Sequence, residues 1–549
     1  MEMHFATVWE SIADVIGDSE ALIHGETRRT WNEFDDRAAR LATVVGAAGL
    51  SHDSKVGLYL YNGNEYSEAQ FAALKMRGVP INVNYRYLDE ELWYLLDNCD
   101  AEALVYHSSL GDHVARVLAR LPKIKLLVEV DDGPSVGGTS LDVASALRYE
   151  DVIAGNEPAQ RITRHEDDNY MLYTGGTTGM PKGVIYAVGG MTETLASGVY
   201  PLLGLPFSKN AADLAALVKR TTDAGNRMIS IPGCPLMHGT GVWLGEMAPH
   251  LVGGSVITLS ERSFSADEMF SVAQREKATN VVIVGDSFCK PLLRAIDEAN
   301  QAGKPYDTSS LKVVISSGVM WTAEVKEALL DRVPHLMLAD FVGSSEGSMG
   351  VNLTTRGLPV ETAKFAASTE TRVFTVDDRI VEPGSGEIGM IAAGGNVPLG
   401  YYKDEAKSAK TFRVIDGERY SFPGDMATVN ADGSIMLIGR GSNVINTAGE
   451  KVFPEEVEEA VKRVEGVRDC LVIGVDDDKF GQAVTAVASR EEDAEVDERT
   501  VIAAVKKELA GYKAPKRVVF VDDVPRAPNG KADYRAAKQY AMDALAIRQ

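Results

Sequence analysis

The sequence predicts an α/β protein with a second, small α+β domain at its C-terminal end. Three observations carry this reading. Short apolar runs alternate with amphipathic stretches, 549 residues exceed what one hydrophobic core holds, and the pattern changes near Arg440. The expected division is residues 1–440 and 441–549.

The runs Lys55-Val56-Gly57-Leu58-Tyr59-Leu60-Tyr61, Ala103-Leu104-Val105-Tyr106, Asn280-Val281-Val282-Ile283-Val284 and Lys312-Val313-Val314-Ile315-Ser316 read as strands. Each is β-branched or aromatic and bounded by polar residues or glycine. Helices fall between them. Ser265-Ala266-Asp267-Glu268 has capping-box form, and a helix over residues 322–330 follows the strand at Lys312. Ligands of such sheets gather at the carboxyl ends of the strands. Further on, Asp432-Gly433 and the apolar run after it suggest a hairpin. A helix opens at Pro454 with Val457, Ala460, Val461 and Val464 on one face and Gly466 as its stop. The acidic stretch 490–499 reads as a solvated loop, and no repeats are present.

Apolar residues make up 45% and charged residues 25%, as in ordinary globular proteins. A net charge of −23 argues against nucleic acid as the main partner but leaves nucleotides open. Cys99, Cys234, Cys289 and Cys470 are too scattered for a disulfide framework or a zinc site, so free buried thiols are expected. The opening residues have no basic n-region, and no 18-residue apolar run occurs, so neither a signal peptide nor a membrane span is expected. The expectation is a cytoplasmic protein with no integral membrane segment.

The densest chemistry lies in Tyr173-Thr174-Gly175-Gly176-Thr177-Thr178-Gly179-Met180-Pro181-Lys182-Gly183. Glycines let backbone N–H groups converge on an anion, threonine hydroxyls bond phosphate or a cation, and lysine adds a mobile charge. The composition suits a polyphosphate loop, although the common P-loop pattern is absent and a plain Gly/Thr turn remains open. Gly384-Ser385-Gly386-Glu387-Ile388-Gly389 matches a dinucleotide fingerprint but follows Pro383 and precedes a strand, so that reading fails its context.

Further parts follow in order: Pro235-Leu236-Met237-His238-Gly239, Val342-Gly343-Ser344-Ser345-Glu346, Ser421-Phe422-Pro423-Gly424-Asp425, Gly439-Arg440, Gly449-Glu450-Lys451-Val452-Phe453-Pro454 and Pro528-Asn529-Gly530-Lys531. Singly these are weak. Asp425 could be a turn aspartate, His238 a core histidine, Glu346 a first-turn acid and Lys531 a surface lysine. Together the series resembles the adenylate-forming superfamily of acyl-CoA synthetases, luciferases and peptide-synthetase adenylation domains, over essentially the whole chain.

The resemblance implies a large N-terminal domain of several subdomains with mixed sheets and a small mobile C-terminal α+β domain. It implies ATP, Mg²⁺ and coenzyme A as reactants and a carboxylic acid as substrate. Thr174, Gly175, Gly176, Thr177, Thr178, Gly179 and Lys182 would hold the β- and γ-phosphates, and Ser345 would reach the α-phosphate. Thr174 and Glu346 would sit near the metal. Gly318, Val319 and Asp340 would border adenine, and Asp425, assisted by Arg440, would bind the ribose. His238 would line the carboxylate site, with Lys531 bridging carboxylate and α-phosphate oxygens. After rotation of the small domain, Gly449, Glu450 and Lys451 would open a tunnel for pantetheine. Three departures stand out: Gly175 replaces a usual serine, Val342 a usual aromatic residue that packs on adenine, and Ser442 the usual Asp or Lys of the hinge.

The acyl pocket is expected from residues 234–243, 284–288 and 316–320, with Gly239, Thr240 and Gly241 leaving room for a bulky acid. That trait, and a long connection between Lys182 and His238, resembles ligases acting on sterol side chains; medium- or long-chain fatty acids compete. An acyl-AMP ligase serving a carrier protein, a luciferase-like oxygenase and an inactive nucleotide-binding protein stay open, as does a homodimer.

Overall fold

The computed structural model describes residues 2–132, 143, 145–174, 180–447, 450–477, 480–526 and 531–547. The turn Gly175, Gly176, Thr177, Thr178, Gly179 lies outside the described residues, as do Gly449, Pro528, Asn529, Gly530 and the side chains of Arg440, Ser442 and Lys451.

Two parallel sheets build the N-terminal part. In one, Glu20–His24, Ser255–Thr258, Ile229–Pro232, Asn280–Ile283, Val313–Ser317 and Met337–Ser344 run side by side. In the other, Val79–Asn82, Lys55–Tyr59, Ala101–His107 and Leu126–Val130 do the same. Strands such as Lys55–Tyr59 and Asn280–Ile283 are buried along their whole length, as sheets covered on both faces require. The first sheet continues antiparallel through Gly347–Thr355 and Lys364–Ala367 into the hairpin Asp425–Val429 and Ile435–Arg440. The N-terminal part is therefore mixed, with separate cores on the two faces of its main sheet around Trp9 and Trp321.

The crossover helices start where side-chain oxygens are available. Thr322 caps Ala323–Arg332, and Ser265 accepts from the Glu268 N–H at 3.2 Å to cap Ala266–Glu276. The box at Ser265 is only half closed. The Glu268 carboxylate turns instead to the N–H groups of Ser260 and Glu261, pinning the loop that leads into the helix.

A short antiparallel sheet joins Asn169–Thr174 to Lys182–Ala187 with Thr174 opposite Lys182, and Gly400–Tyr401 adds to its edge. The chain changes sheets between Arg440 and Ile445. From there Ile445–Thr447, Glu450–Val452, Val467–Asp477, Gly481–Arg490 and Arg517–Phe520 form a small sheet. Helices Pro454–Lys462 and Glu498–Glu508 cover one face and Tyr534–Ile547 the other. Two expectations shift here. The helix from Pro454 ends at Lys462 rather than at Gly466, whose φ of +86° serves the turn into the next strand. The acidic stretch is a loop only as far as Asp497, which caps the helix Glu498–Glu508. All four cysteines are free and buried. Among the described residues no helix is long and apolar enough to cross a membrane.

Candidate active site

A cavity of about 570 Å³ opens at the carboxyl ends of the parallel strands. Its wall takes Thr174 from the end of Asn169–Thr174, Gly318 from just beyond Val313–Ser317, Ser345 from just beyond Met337–Ser344, and His238 from the turn after Ile229–Pro232. Lys531, carried by the small C-terminal domain, completes it. Thr174, His238, Gly318 and Ser345 thus share one space because the strand ends converge, and Lys531, 357 positions beyond Thr174, joins them.

The turn bearing His238 is held by two asparagines the sequence did not single out. Asn82 donates to the carbonyls of Tyr173 (2.8 Å) and Met237 (2.6 Å) and accepts from the Tyr173 N–H at 2.7 Å. Asn62 accepts from the Leu236 N–H at 2.8 Å and donates to Cys234 O at 3.3 Å. Asn82 is buried, and a buried amide persists only when its bonds are satisfied. A lone Asn closing the apolar strand Val79–Asn82 was the available signal.

His238 Nε2 is buried and has no hydrogen-bond partner among the described residues. Burial, reinforced by the cations of Lys531 and Arg86, lowers its pKa to about 3. The imidazole is therefore neutral at physiological pH, ready to exchange a hydrogen bond with a bound group rather than to form an ion pair.

Several expected ligands are differently engaged. The Lys182 ammonium pairs with the Asp404 carboxylate, which holds Asp404 below the usual carboxylate range. Asp404 follows the edge strand Gly400–Tyr401, which brings it alongside Lys182, so a phosphate would have to compete for this cation. Asp340 is outside the cavity wall. It is buried, with Lys326 Nζ at 2.7 Å from its carboxylate. Glu346 lies just past Ser345, where its Oε1 accepts from the Tyr401 hydroxyl at 2.7 Å. Asp425 stands opposite Arg440 in the ladder. Gly318, with φ +94°, lines the cavity, while Val319 packs partly buried against the core.

Val342 does not leave the wall without an aromatic ring. Phe341 lines the cavity too, and the ladder slips between Val342 and Gly343; such irregularities re-aim side chains. The expected acyl wall also changes. Cys234, His238, Thr240, Trp243, Val284 and Phe288 take part, but Gly241 does not: a Cβ there would lie 2.2 Å from the Pro235 carbonyl oxygen. Its small size serves backbone contact, not acid volume. The long connection after Lys182 supplies the missing wall, the helix Val188–Leu202.

The segment Thr240–Met247 is π-helical and carries Glu246 inward, where Gln70 Nε2 donates to its Oε1 at 3.2 Å. Burial raises this carboxyl from 4.5 to about 7. The unfolded chain then loses its proton before the folded one does, so stability falls as pH rises from about 4.5 to about 7. Glu246→Gln removes that slope. Urea unfolding should show the variant gaining about 2–3 kcal/mol relative to wild type between pH 5 and pH 8; parallel pH profiles would refute the buried acid.

Parallel sheets joined to a small sheet-bearing domain that sends a lysine into the cavity beside a neutral histidine make an adenylate-forming fold. The family model described as AMP-binding enzyme matches residues 9–402, and that for the AMP-binding enzyme C-terminal domain matches residues 456–531. The chain is 39% identical to a 3-oxocholest-4-en-26-oate–CoA ligase of Rhodococcus rhodochrous, over 98% of this chain and 96% of the relative. It is 37% identical, with the same coverage, to a medium/long-chain-fatty-acid–CoA/3-oxocholest-4-en-26-oate–CoA ligase of Mycolicibacterium smegmatis. ATP-bound MatB from Rhodopseudomonas palustris shares the fold with a TM-score of 0.81 at 24% identity, over 99% of this chain and 100% of that one. The chain belongs to the AMP-binding enzymes.

Proposed function

We propose that this AMP-forming acid–thiol ligase activates a medium- or long-chain, or bulky sterol-side-chain, carboxylic acid as acyl-AMP and passes the acyl group to coenzyme A. The observation that carries the reading is a cavity of about 570 Å³ in which Lys531 and His238 share the wall with apolar residues such as Met191, Leu195 and Val199. The printed activities of the two relatives point the same way.

In the first half-reaction a carboxylate oxygen attacks the α-phosphorus of ATP and pyrophosphate leaves. Positioning and charge neutralisation do most of the work. Lys531 neutralises charge on the carboxylate and α-phosphate oxygens, His238 orients the carboxylate, Ser345 and Thr174 meet phosphate oxygens, and Asp425 with Arg440 takes the ribose. In the second, the thiolate sulfur of coenzyme A attacks the acyl carbon and AMP leaves. The small domain, hinged near Arg440, would then present Gly449, Glu450 and Lys451 in place of Lys531.

Mg²⁺ suits the donor set. Among the described residues no cluster of three or more His, Cys, Asp or Glu forms a closed metal cage. Mg²⁺ is commonly held by one or two carboxylates together with substrate phosphates. The half-buried Glu346 carboxylate and Thr174 hydroxyl would hold it, and bound there it neutralises polyphosphate charge. The four unpaired buried cysteines suit a cytoplasmic enzyme.

The test is CoA-thioester formation with acetate, octanoate, palmitate, benzoate and steroid acids. Activity should peak on octanoate, palmitate or a steroid acid and require CoA. A peak on acetate or benzoate defeats the bulky-acid reading, and CoA-independent release of AMP defeats the choice of acceptor.

A further inference from the structure

The cavity helix Val188–Leu202 holds three glycines, a costly content for a helix because glycine gives up more backbone freedom than alanine. Two have packing reasons. A Cβ on Gly189 would lie 2.4 Å from Glu166 Cβ, and one on Gly190 would lie 3.3 Å from the Asn396 side chain. Gly198 has none. Its φ is not positive, and a Cβ there would meet no heavy atom within 4 Å. Yet Gly198 belongs to the cavity wall, one turn beyond Thr194 and Leu195 and two turns beyond Met191, which line it as well. Met191 and Leu195 are buried, whereas Gly198 is exposed, so the apolar wall is notched where the cavity meets solvent.

We propose that Gly198 is a specificity-determining residue: the absence of a side chain there leaves passage for the distal part of a long or bulky acid. The inference rests on the acid occupying this cavity, as put forward above. A Cβ at 198 has helical backbone and free space, so at least an alanine can be accommodated without forcing its neighbours. Helical side chains lean toward the N-terminus, so one at 198 would lie over the Thr194–Leu195 turn and take up room inside the lobe. The carboxyl end of the acid, at His238 and Lys531, would be untouched. Short acids should therefore keep their reaction, while long or polycyclic ones lose theirs.

The test compares wild type, Gly198→Ala and Gly198→Phe as full-length enzymes. The readouts are kcat and KM of CoA-thioester formation with octanoate, palmitate and a C27 steroid acid, together with the thermal midpoint. Gly198→Phe is expected to stay within about twofold of wild type on octanoate and to lose tenfold or more in kcat/KM on the largest acid accepted, chiefly through KM. Gly198→Ala should fall between the two in selectivity while melting higher than wild type. If the Phe variant does not fold, the Ala variant reads the same ratio. A ratio of large to small acid that stays at the wild-type value in a folded variant overturns the inference, as does an equal loss on every acid. A wild type active only on acetate or benzoate overturns the parent reading and this one with it. A wild type that accepts large acids, with unchanged ratios in the variants, overturns this one alone.

Discussion

Lys531→Ala is expected to lower acyl-AMP formation by about 10²–10³, some 3–4 kcal/mol of barrier, the loss seen when one preorganised charge-stabilising donor is removed. The magnitude follows from where the lysine stands. Lys531 is itself exposed, but it lines the cavity with the buried His238 imidazole, close enough for its charge to depress that pKa. A cation already in place needs no reorganisation as the α-phosphate and carboxylate oxygens gain charge. ATP–pyrophosphate exchange measures this half-reaction directly. Thioester formation from supplied acyl-AMP should fall by less than about threefold if, as proposed, the small domain carries Lys531 away before the thiol attacks. Equal loss in both assays would remove Lys531 from its proposed role.

Lys326→Met is expected to be the most destabilising single change near the site. Lys326 is fully buried, its ammonium 2.7 Å from the Asp340 carboxylate, which is itself 7% exposed. Removing one partner leaves a buried charge uncompensated, at a cost of about 3–5 kcal/mol. Burial already raises the Asp340 pKa, with Lys326 as the counterweight. Without that counterweight the carboxyl takes up a proton more readily. The loss should therefore be smaller at pH 5 than at pH 8, where the unfolded state is ionised and the folded state resists ionisation. Adding Asp340→Leu should restore most of the stability, since a buried pair replaced by apolar groups is often neutral. Urea midpoints at the two pH values test both statements. A single variant within 1 kcal/mol of wild type would mean that the pair carries no such burden. Because Asp340 lies on Met337–Ser344, five residues before Ser345, ATP binding should weaken along with stability.

Thr174, His238, Ser345 and Lys531 were expected from the ordered series of motifs and its resemblance to adenylate-forming enzymes, not from any one residue type, and the structure brings the four to one cavity wall. The parallel strands were equally plain, since Asn280–Ile283 and Val313–Ser317 are short, β-branched and doubly covered. What escaped notice were residues defined by their partners. Asn82 looks like any strand-end polar residue until Tyr173 and Met237 are brought to it. Asp404 becomes a partner of Lys182 only once an edge strand places it there. Gly241 and Gly198 are the same letter in the sequence. One is small because a carbonyl oxygen presses on it, the other because nothing does.

The sequence by itself determined the α/β class and the order of the chemical groups. These follow from local periodicity and from side-chain chemistry, which travel with the residue. The tertiary structure alone decided which groups face one another: that Lys531 reaches His238, that Asp340 answers Lys326 and not open space, and that the long connection after Lys182 becomes a wall of the cavity. Such pairings depend on distances between segments hundreds of residues apart, set by how the sheets twist and pack, and no local pattern encodes them.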